Sequence, residues 1–391
     1  MPLTYCLNVH RGESWAENLA TLQTTVLAVR DLVSPGKPFG LGLRLSAAAA
    51  AELDDPTHIA ELSAFLESEG LYVFTINGFP FGRFHGGPVK ENVYAPDWRT
   101  RERREYTDRL ANILAALTPE GGVGSISTVP CSWKAWITTP ADIESIVGQL
   151  ADSVAHCAGI AAGRGRDILL ALEPEPGCLL ETTAETISFF NEHLFARGAD
   201  LLAEKLGVNR ESARVVMRHH LGVCLDTCHT ALQFEEPAES LRLYEAAGIR
   251  VPKIQISSAL RTDPSPEALE ALRAFAEPIY LHQVKAQTAT GEILGWTDLP
   301  EALDALPAAD AREARIHFHV PLHFAGSGPL HSTGSLLTPE FMTYIACDPL
   351  AHLEIETYTW DVLPEQLRAH SIEESIAAEF HWTRSRQSVT A

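Results

Sequence analysis

Basic residues are scarce in this chain: 30 Lys and Arg face 51 Asp and Glu, for a net charge of −21. Nucleic-acid binders set basic patches against phosphates, so this imbalance argues against a DNA- or RNA-processing role. Also missing is any uncharged apolar run of about 18 residues, so no membrane span is expected. The start, Met-Pro-Leu-Thr-Tyr-Cys, has neither the basic nor the apolar region of a secretory signal, which predicts a cytoplasmic protein. The seven cysteines are odd in number and irregularly spaced, as expected of reduced thiols rather than a disulfide framework. No Gly-rich phosphate loop joins a strand to a helix and no Gly-x-Ser-x-Gly elbow occurs, which removes those signatures of nucleotide and serine-hydrolase chemistry.

What the chain does have is a 46% apolar fraction over 391 residues, enough for a substantial core. Short β-like runs alternate with amphipathic stretches, the pattern of βα units on a parallel sheet. Strands are expected over residues 3–9, 39–45, 71–76, 123–129, 168–173, 221–226 and 251–257. Capping signals fall between them: Ser14 with Glu17, Ser46, Gly70 and Ser265-Pro266. Three later runs, over 279–285, 316–320 and 353–357, compete to be strand eight. The last is chosen because a helical segment over 364–380 follows it and closes the outer ring. The expectation is an α/β fold, a (β/α)8 TIM barrel forming one domain over 1–391. It carries an extra helix between strands five and six, where 183–195 and 199–217 both read as helical. The two unused strands, with a turn over 288–295, decorate the connection between strands seven and eight.

Chemistry concentrates at three strand ends. Glu173, Asp226 and Glu356 each close an apolar run, where an unpaired charge is costly without a metal, a base partner or a hydrogen-bond network. In a βα barrel those ends share one mouth. Asp226 begins Asp-x-x-His with His229, which puts a carboxylate and an imidazole side by side. Gln255 and His282 compete for a further position; imidazole is the better donor to zinc or manganese, so His282 is taken as the ligand and Gln255 as a substrate contact. His317, His319 and His323 alternate with period two, a register that Pro321 interrupts. Glu354 shares a face with Glu356 but lies deeper, and Cys224 and Cys228 flank Asp226. The Gly/Pro/aromatic loop over 77–88, with Phe79, Phe81, Phe84 and His85, reads as a lid or binding loop; Trp15, Trp133 and Trp136 are further candidates for a pocket wall. The expected site therefore has Glu173, Asp226, His282 and Glu356 around one divalent ion (Mn, Zn, Mg or Co), with His229, Gln255, His85 and Trp133 on the substrate. Such a set suits polyol or hydroxy-carbonyl chemistry, in which Glu173 or Glu356 moves the proton next to a carbonyl.

The order Glu173, Asp226-x-x-His229, Glu356 resembles the xylose-isomerase-like TIM-barrel superfamily of sugar isomerases, epimerases and endonuclease IV-type enzymes. That resemblance implies metal ligands at Glu173, Asp226 and Glu356, with His229 holding substrate or metal. The chain departs from the pattern at Gln255, where many members have a His. Longer strings are similar to the bacterial family called metabolite traffic protein EboE: Asn8-Val-His10-Arg-Gly-Glu-Ser-Trp15, Phe74-Thr-Ile-Asn-Gly-Phe-Pro80, Gly124-Ser-Ile-Ser-Thr-Val-Pro130, Leu281-His-Gln-Val284 and the stretch from Leu353-Glu-Ile-Glu-Thr to Pro364. The resemblance implies a small-metabolite ligand and other proteins of one metabolite-handling pathway as partners. Two functions are thus set against each other: a metal-dependent isomerase or epimerase, and a non-catalytic binding or handover protein, the latter motivated by Gln255. An endonuclease IV-like role is third, and the acidic balance speaks against it.

Overall fold

Eight apolar runs pair in parallel as β1 (Leu3–Tyr5), β2 (Phe39–Arg44), β3 (Leu71–Asn77), β4 (Val123–Thr128), β5 (Asp167–Leu172), β6 (Leu221–Asp226), β7 (Lys253–Ile256) and β13 (His352–Ile355). Their order is β1-β13-β7-β6-β5-β4-β3-β2, and a Cys6–Gly42 bridge brings the two ends together. Strands buried on both faces read as near-continuous apolar runs, which is why the sequence shows them. Strand eight is the 353–357 run, as expected. The computed structural model describes residues 2–348, 351–365, 368 and 370–387.

Close packing along the barrel axis sets one glycine. A Cβ on Gly42 would lie 2.0 Å from Glu354 Oε1, so β2 makes room for a carboxylate from β13. That carboxylate pairs with Lys253 of β7 at 2.7 Å, both side chains fully buried.

Several boundaries differ from expectation for local reasons. β1 stops at Tyr5, because Leu7–Val9 winds into a 3-10 turn that directs the Asn8 amide onto Glu356. Ser14 and Glu17 form the capping box. The helix opened by Ser46 breaks after Leu53, since Asp55 caps a new one with Pro56 in its first turn; Gly70, at φ 67°, ends that second helix. Between β5 and β6 the helical chain runs on past Gly198, with a π-wound stretch over Phe190–Gly198, and ends at Gly207 (φ 64°); Asn209 then caps Arg210–His220. The final helix spans Ile372–Gln387 rather than 364–380; Pro364 is outside it, and residues 366, 367 and 369 of the expected segment lie outside the described residues.

The β7–β13 connection carries more than two decorating strands. A five-stranded antiparallel sheet, ordered β10-β9-β11-β8-β12, joins β8 (Ala259–Thr262), β9 (Val284–Thr288), β10 (Ile293–Trp296), β11 (Ala311–His319) and β12 (Leu330–Ser332). The expected 279–285 strand begins only at Val284, and the expected turn over 288–295 is the tip and return strand of the β9–β10 hairpin. Leu260, Val284, Ala286, Ile316, Phe318 and Val320 pack with Leu272, Leu299 and Leu303 from helices Pro266–Leu272 and Leu299–Ala305 as a second apolar core. β11 alternates: Ile316, Phe318 and Val320 enter that core, which turns His317 and His319 the other way, towards the barrel mouth. No helix among the described residues is long and apolar enough to cross a membrane.

Candidate metal centre

Glu173 follows β5 directly, Asp226 ends β6 and Glu356 follows β13, so the barrel register delivers three carboxylates whose nearest oxygens lie within 4.8 Å of one another. Asp226 caps the helix Thr227–Leu232: its Oδ1 accepts from the backbone N–H groups of Cys228 (2.7 Å) and His229 (3.0 Å) and from Ser257 Oγ (2.7 Å). Neither its Oδ2 nor Glu173 Oε2 accepts from any N–H or hydroxyl group, although both are buried; the nearest polar neighbour of Asp226 on that side is the Glu356 carboxyl, with which it shares a proton when one is bound. Glu356 Oε1 accepts from Asn8 Nδ2 at 2.6 Å and Asn77 Nδ2 at 3.1 Å. Burial, then the neighbouring Asp226, drives the Glu173 carboxyl well above the usual carboxylate range; burial, then Glu173 and Asp226, does the same to Glu356. Burial also works against charge on Asp226, but His229, His319 and its hydrogen bonds outweigh it and hold that carboxyl low.

Imidazoles complete the ring of donors. His319, at the end of β11, donates from Nδ1 to the Glu356 carbonyl at 2.8 Å, because a carbonyl can only accept. Its Nε2 is then a bare lone pair, buried and without a partner. Asp226, His229 and His319 form a second donor set within 4.8 Å, and Glu175, His229 and His317 a third. Burial lowers the pKa of all three imidazoles, His229 to about 4, so they present neutral nitrogens. Buried carboxylate oxygens and an imidazole nitrogen that converge without hydrogen-bond partners are what a divalent cation requires. The residues present fit one: Glu173, Asp226 and Glu356 would hold it, with His319 in reach of Asp226 on the side of the inserted sheet.

Two expected participants are elsewhere. His282 does not join the donors: its Nδ1 is 2.7 Å from the His317 carbonyl of β11 and its Nε2 is 2.8 Å from the Glu277 carboxylate, so both ring nitrogens are engaged. Gln255 lies within the barrel between Asp226 and Glu354 in register, accepts from Cys224 Sγ at 3.0 Å, and does not line the pocket. His319 stands beside the end of β7 instead, paired through Ala259.

Above the donors opens a narrow cleft with a cavity volume of about 60 Å³. Phe79, Phe84, Tyr94, Tyr280 and Tyr358 wall it, and its one basic lining residue, Lys90, pairs with Asp298 at 2.6 Å. His229, Glu173 and Glu356 line it, whereas Asp226 lies behind them and does not. His85 and Trp133 do not. His85 donates to the Asn8 carbonyl (2.7 Å) and accepts from Tyr280 (2.8 Å), fixing the loop that carries Asn8. Trp133 stacks behind Tyr94 at 4.8 Å, over Gly177, where a Cβ would meet its ring at 2.2 Å. Of the other aromatics, Phe81 packs on Tyr106 and neither Trp15 nor Trp136 reaches the cleft; His323, past Pro321, is exposed. Sequence reasoning missed Asn8, Asn77 and Glu175. It saw the His317/His319 alternation without assigning it a ligand role.

The fold is that of the xylose isomerase-like TIM barrels. A xylose isomerase-like TIM barrel protein from Mycobacterium smegmatis, in complex with magnesium, aligns with TM-score 0.50 and 12% identity over 99% of this chain and 98% of that chain. The IOLI protein with a bound zinc atom aligns at TM-score 0.47 and 14% identity over 99% and 98%. A D-tagatose 3-epimerase-like protein gives TM-score 0.39 and 15% identity over 66% and 76%. No protein-family model and no curated protein matches the chain.

Proposed function

We propose that this chain is a divalent-cation-dependent enzyme of isomerase or epimerase type acting on a small polyhydroxylated metabolite. The observation that carries the reading is the meeting of Glu173, Asp226 and Glu356 at three strand ends, with ligand oxygens within 4.8 Å of one another, all buried, and His319 in reach of Asp226. When bound, the cation supplies Lewis acidity towards substrate oxygens. The chain's own groups do the rest. Asn8 and Asn77 fix Glu356 Oε1, and the paired carboxyls Glu173 and Glu356, which hold protons more readily than ordinary carboxylates, are placed to remove and return a proton beside a substrate carbonyl. The aromatic wall excludes water from that exchange. Relatives of the fold whose names carry zinc, magnesium or an epimerase-like activity are consistent with this chemistry. The finer reading, carried by the sequence strings alone, is a cytoplasmic role in the handling of a metabolite precursor, as the EboE family name implies.

Metal analysis tests the first step: one or more divalent ions per chain are expected, lost in Glu356→Gln and Asp226→Asn. Absence of bound ion, with no stabilisation on adding Mn²⁺, Zn²⁺ or Mg²⁺, sinks the reading. Deuterium uptake from D2O into sugars or polyols, followed by NMR, tests the second. The competing handover role predicts ligand binding that survives Glu356→Gln with no uptake. Gln255 motivated that alternative, and His319 offers the imidazole that Gln255 lacks.

A further inference from the structure

The chain that leaves β3 divides into a fixed part and a strap. Its first stretch, 77–82, is held to the barrel: the Phe79 N–H donates to Asn77 Oδ1 (3.0 Å), Arg103 donates to the Gly78 and Phe79 carbonyls (2.9 Å each), and Arg44 donates to the Gly82 carbonyl (2.6 Å). The chain is fixed again at Tyr94, whose hydroxyl donates to Glu175 (2.8 Å), and at the fully buried Trp98. Between these anchors residues 83–93 cross the mouth, with Phe84, Val89, Lys90 and Val93 on the cleft wall and Arg83, Glu91 and Asn92 in solvent.

The strap rests on the insertion between β7 and β13. The N–H groups of Val89 and Lys90 donate to the Ile279 carbonyl at 2.7 and 3.2 Å, and Lys90 Nζ pairs at 2.6 Å with Asp298, the cap of helix Leu299–Ala305. Phe84 packs on Tyr280 with ring centroids 5.3 Å apart, and the Tyr280 hydroxyl donates to His85 (2.8 Å). These contacts are few, and the ion pair keeps 26% and 23% exposure, which makes it a weak hold. The backbone is suited to movement at both ends. A Cβ on Gly82 would meet nothing within 4 Å, and Lys90 sits at φ 44°, a left-handed conformation that a non-glycine residue keeps only while its surroundings impose it.

With the strap down, the cleft beneath it has about 60 Å³. A water molecule needs about 10 to 15 Å³ of cavity, and small-molecule sites ordinarily run to about 300 to 1,000 Å³. The space holds a few waters, and a sugar-sized ligand does not fit. We propose that residues 83–93 are a gate, latched on the insertion through Lys90, Ile279 and Asp298, that must lift before a metabolite reaches Glu173 and Glu356. The moving part starts at 83 and not at 77. This inference rests on the cleft being the substrate site proposed above, and it gives the inserted sheet, which has its own apolar core, a part in admitting the ligand.

Thiol labelling tests it. Leu281 lines the cleft opposite the strap and is 8% exposed. Leu281→Cys is made together with Cys347→Ser, which removes the exposed thiol and leaves six buried ones, and the full chain is treated with iodoacetamide and followed by mass spectrometry. The new thiol is expected to react more slowly than a free thiol and faster than buried Cys157. Adding Lys90→Ala is expected to speed it about two- to fivefold, as loss of a partly exposed ion pair allows, with Cys157 unchanged. A rate that Lys90→Ala leaves alone overturns the latch, a rise shared by Cys157 overturns it by showing general loosening, and reaction at the free-thiol rate overturns the gate, since the cleft is then already open. Hydrogen exchange on the unaltered chain needs no variant: the bonded amides of Val89 and Lys90 should exchange faster than that of Trp98, which donates to the Cys131 carbonyl at 2.9 Å, and equal protection overturns the gate. Neither readout involves a cation or turnover, so a failed gate and a failed metal centre are told apart.

Discussion

Glu356 takes both of its amide hydrogen bonds on one oxygen, from Asn8 and Asn77. Those bonds fix the carboxylate orientation that a cation meets. Outer-shell groups of this kind typically contribute about 10- to 100-fold to metal affinity. Asn8→Ala is therefore expected to weaken cation binding by roughly that factor, read by calorimetric titration, while the melting temperature of the metal-free chain changes little; an unaltered affinity would refute the role. Glu379 is a contrasting residue, a buried carboxyl with no part in the site. It accepts from the Leu322 N–H (3.0 Å) and Thr357 Oγ1 (2.7 Å), and burial raises its pKa to about 7. The folded state thus holds this proton more tightly than the unfolded chain. Its stabilising contribution is present below pH of about 4.5 and is lost as pH rises towards 7, a fall of the order of 3 kcal/mol. Glu379→Gln keeps an acceptor without the charge, so urea midpoints at pH 5 and pH 8 should lie closer together in the variant; an unchanged gap would exclude Glu379 as the source.

At the scale of elements, β11 links packing to chemistry. Phe318 points into the second core, with its ring 5.0 Å from Phe275 and 4.9 Å from His282, and its two neighbours in sequence face the metal centre. Phe318→Ala should cost about 3 to 5 kcal/mol in the sheet and also weaken cation binding, because His317 and His319 lose the anchor between them. Loss of stability with affinity intact would show that the imidazoles do not depend on that core. In the barrel, Lys253 of β7 and Glu354 of β13 form a fully buried ion pair. Lys253→Met strands a charge and should destabilise by about 3 to 5 kcal/mol, with most of that recovered in Lys253→Met/Glu354→Leu. A double variant no better than the single would argue against the pair. The same contrast explains what the sequence revealed. Barrel strands and their terminal carboxylates were legible because burial on both faces writes apolar runs that end in charge. β8 was not, since Ala259–Thr262 is four residues set just past β7 and has no period of its own. His319 was visible as part of an alternation, but its place at the mouth depends on β11 pairing with β8 across a long insertion, and no local pattern encodes that pairing. His282 misled for the same reason: imidazole chemistry suited a ligand, while the fold spends both nitrogens on Glu277 and the His317 carbonyl.

At the scale of the molecule, the candidate donors come from two bodies of structure with separate apolar cores. Glu173, Asp226 and Glu356 belong to the barrel, whereas His317 and His319 belong to the sheet inserted between β7 and β13. A cation held by both ties them together, and ligand binding adds stability to whatever it joins, about 2.7 kcal/mol at 100 times the dissociation constant. Local opening of the sheet then requires release of the ion. Hydrogen exchange makes the coupling measurable, because amides of separately opening segments respond separately. Adding Zn²⁺ to chelator-treated protein should slow exchange at the ends of β5, β6 and β13 and, in the same concentration range, along β11 and its partner β8. Protection confined to the barrel segments would mean that the carboxylates bind the ion without the insertion. In that case His319 would not be a ligand, and the position that Gln255 leaves open would remain unfilled.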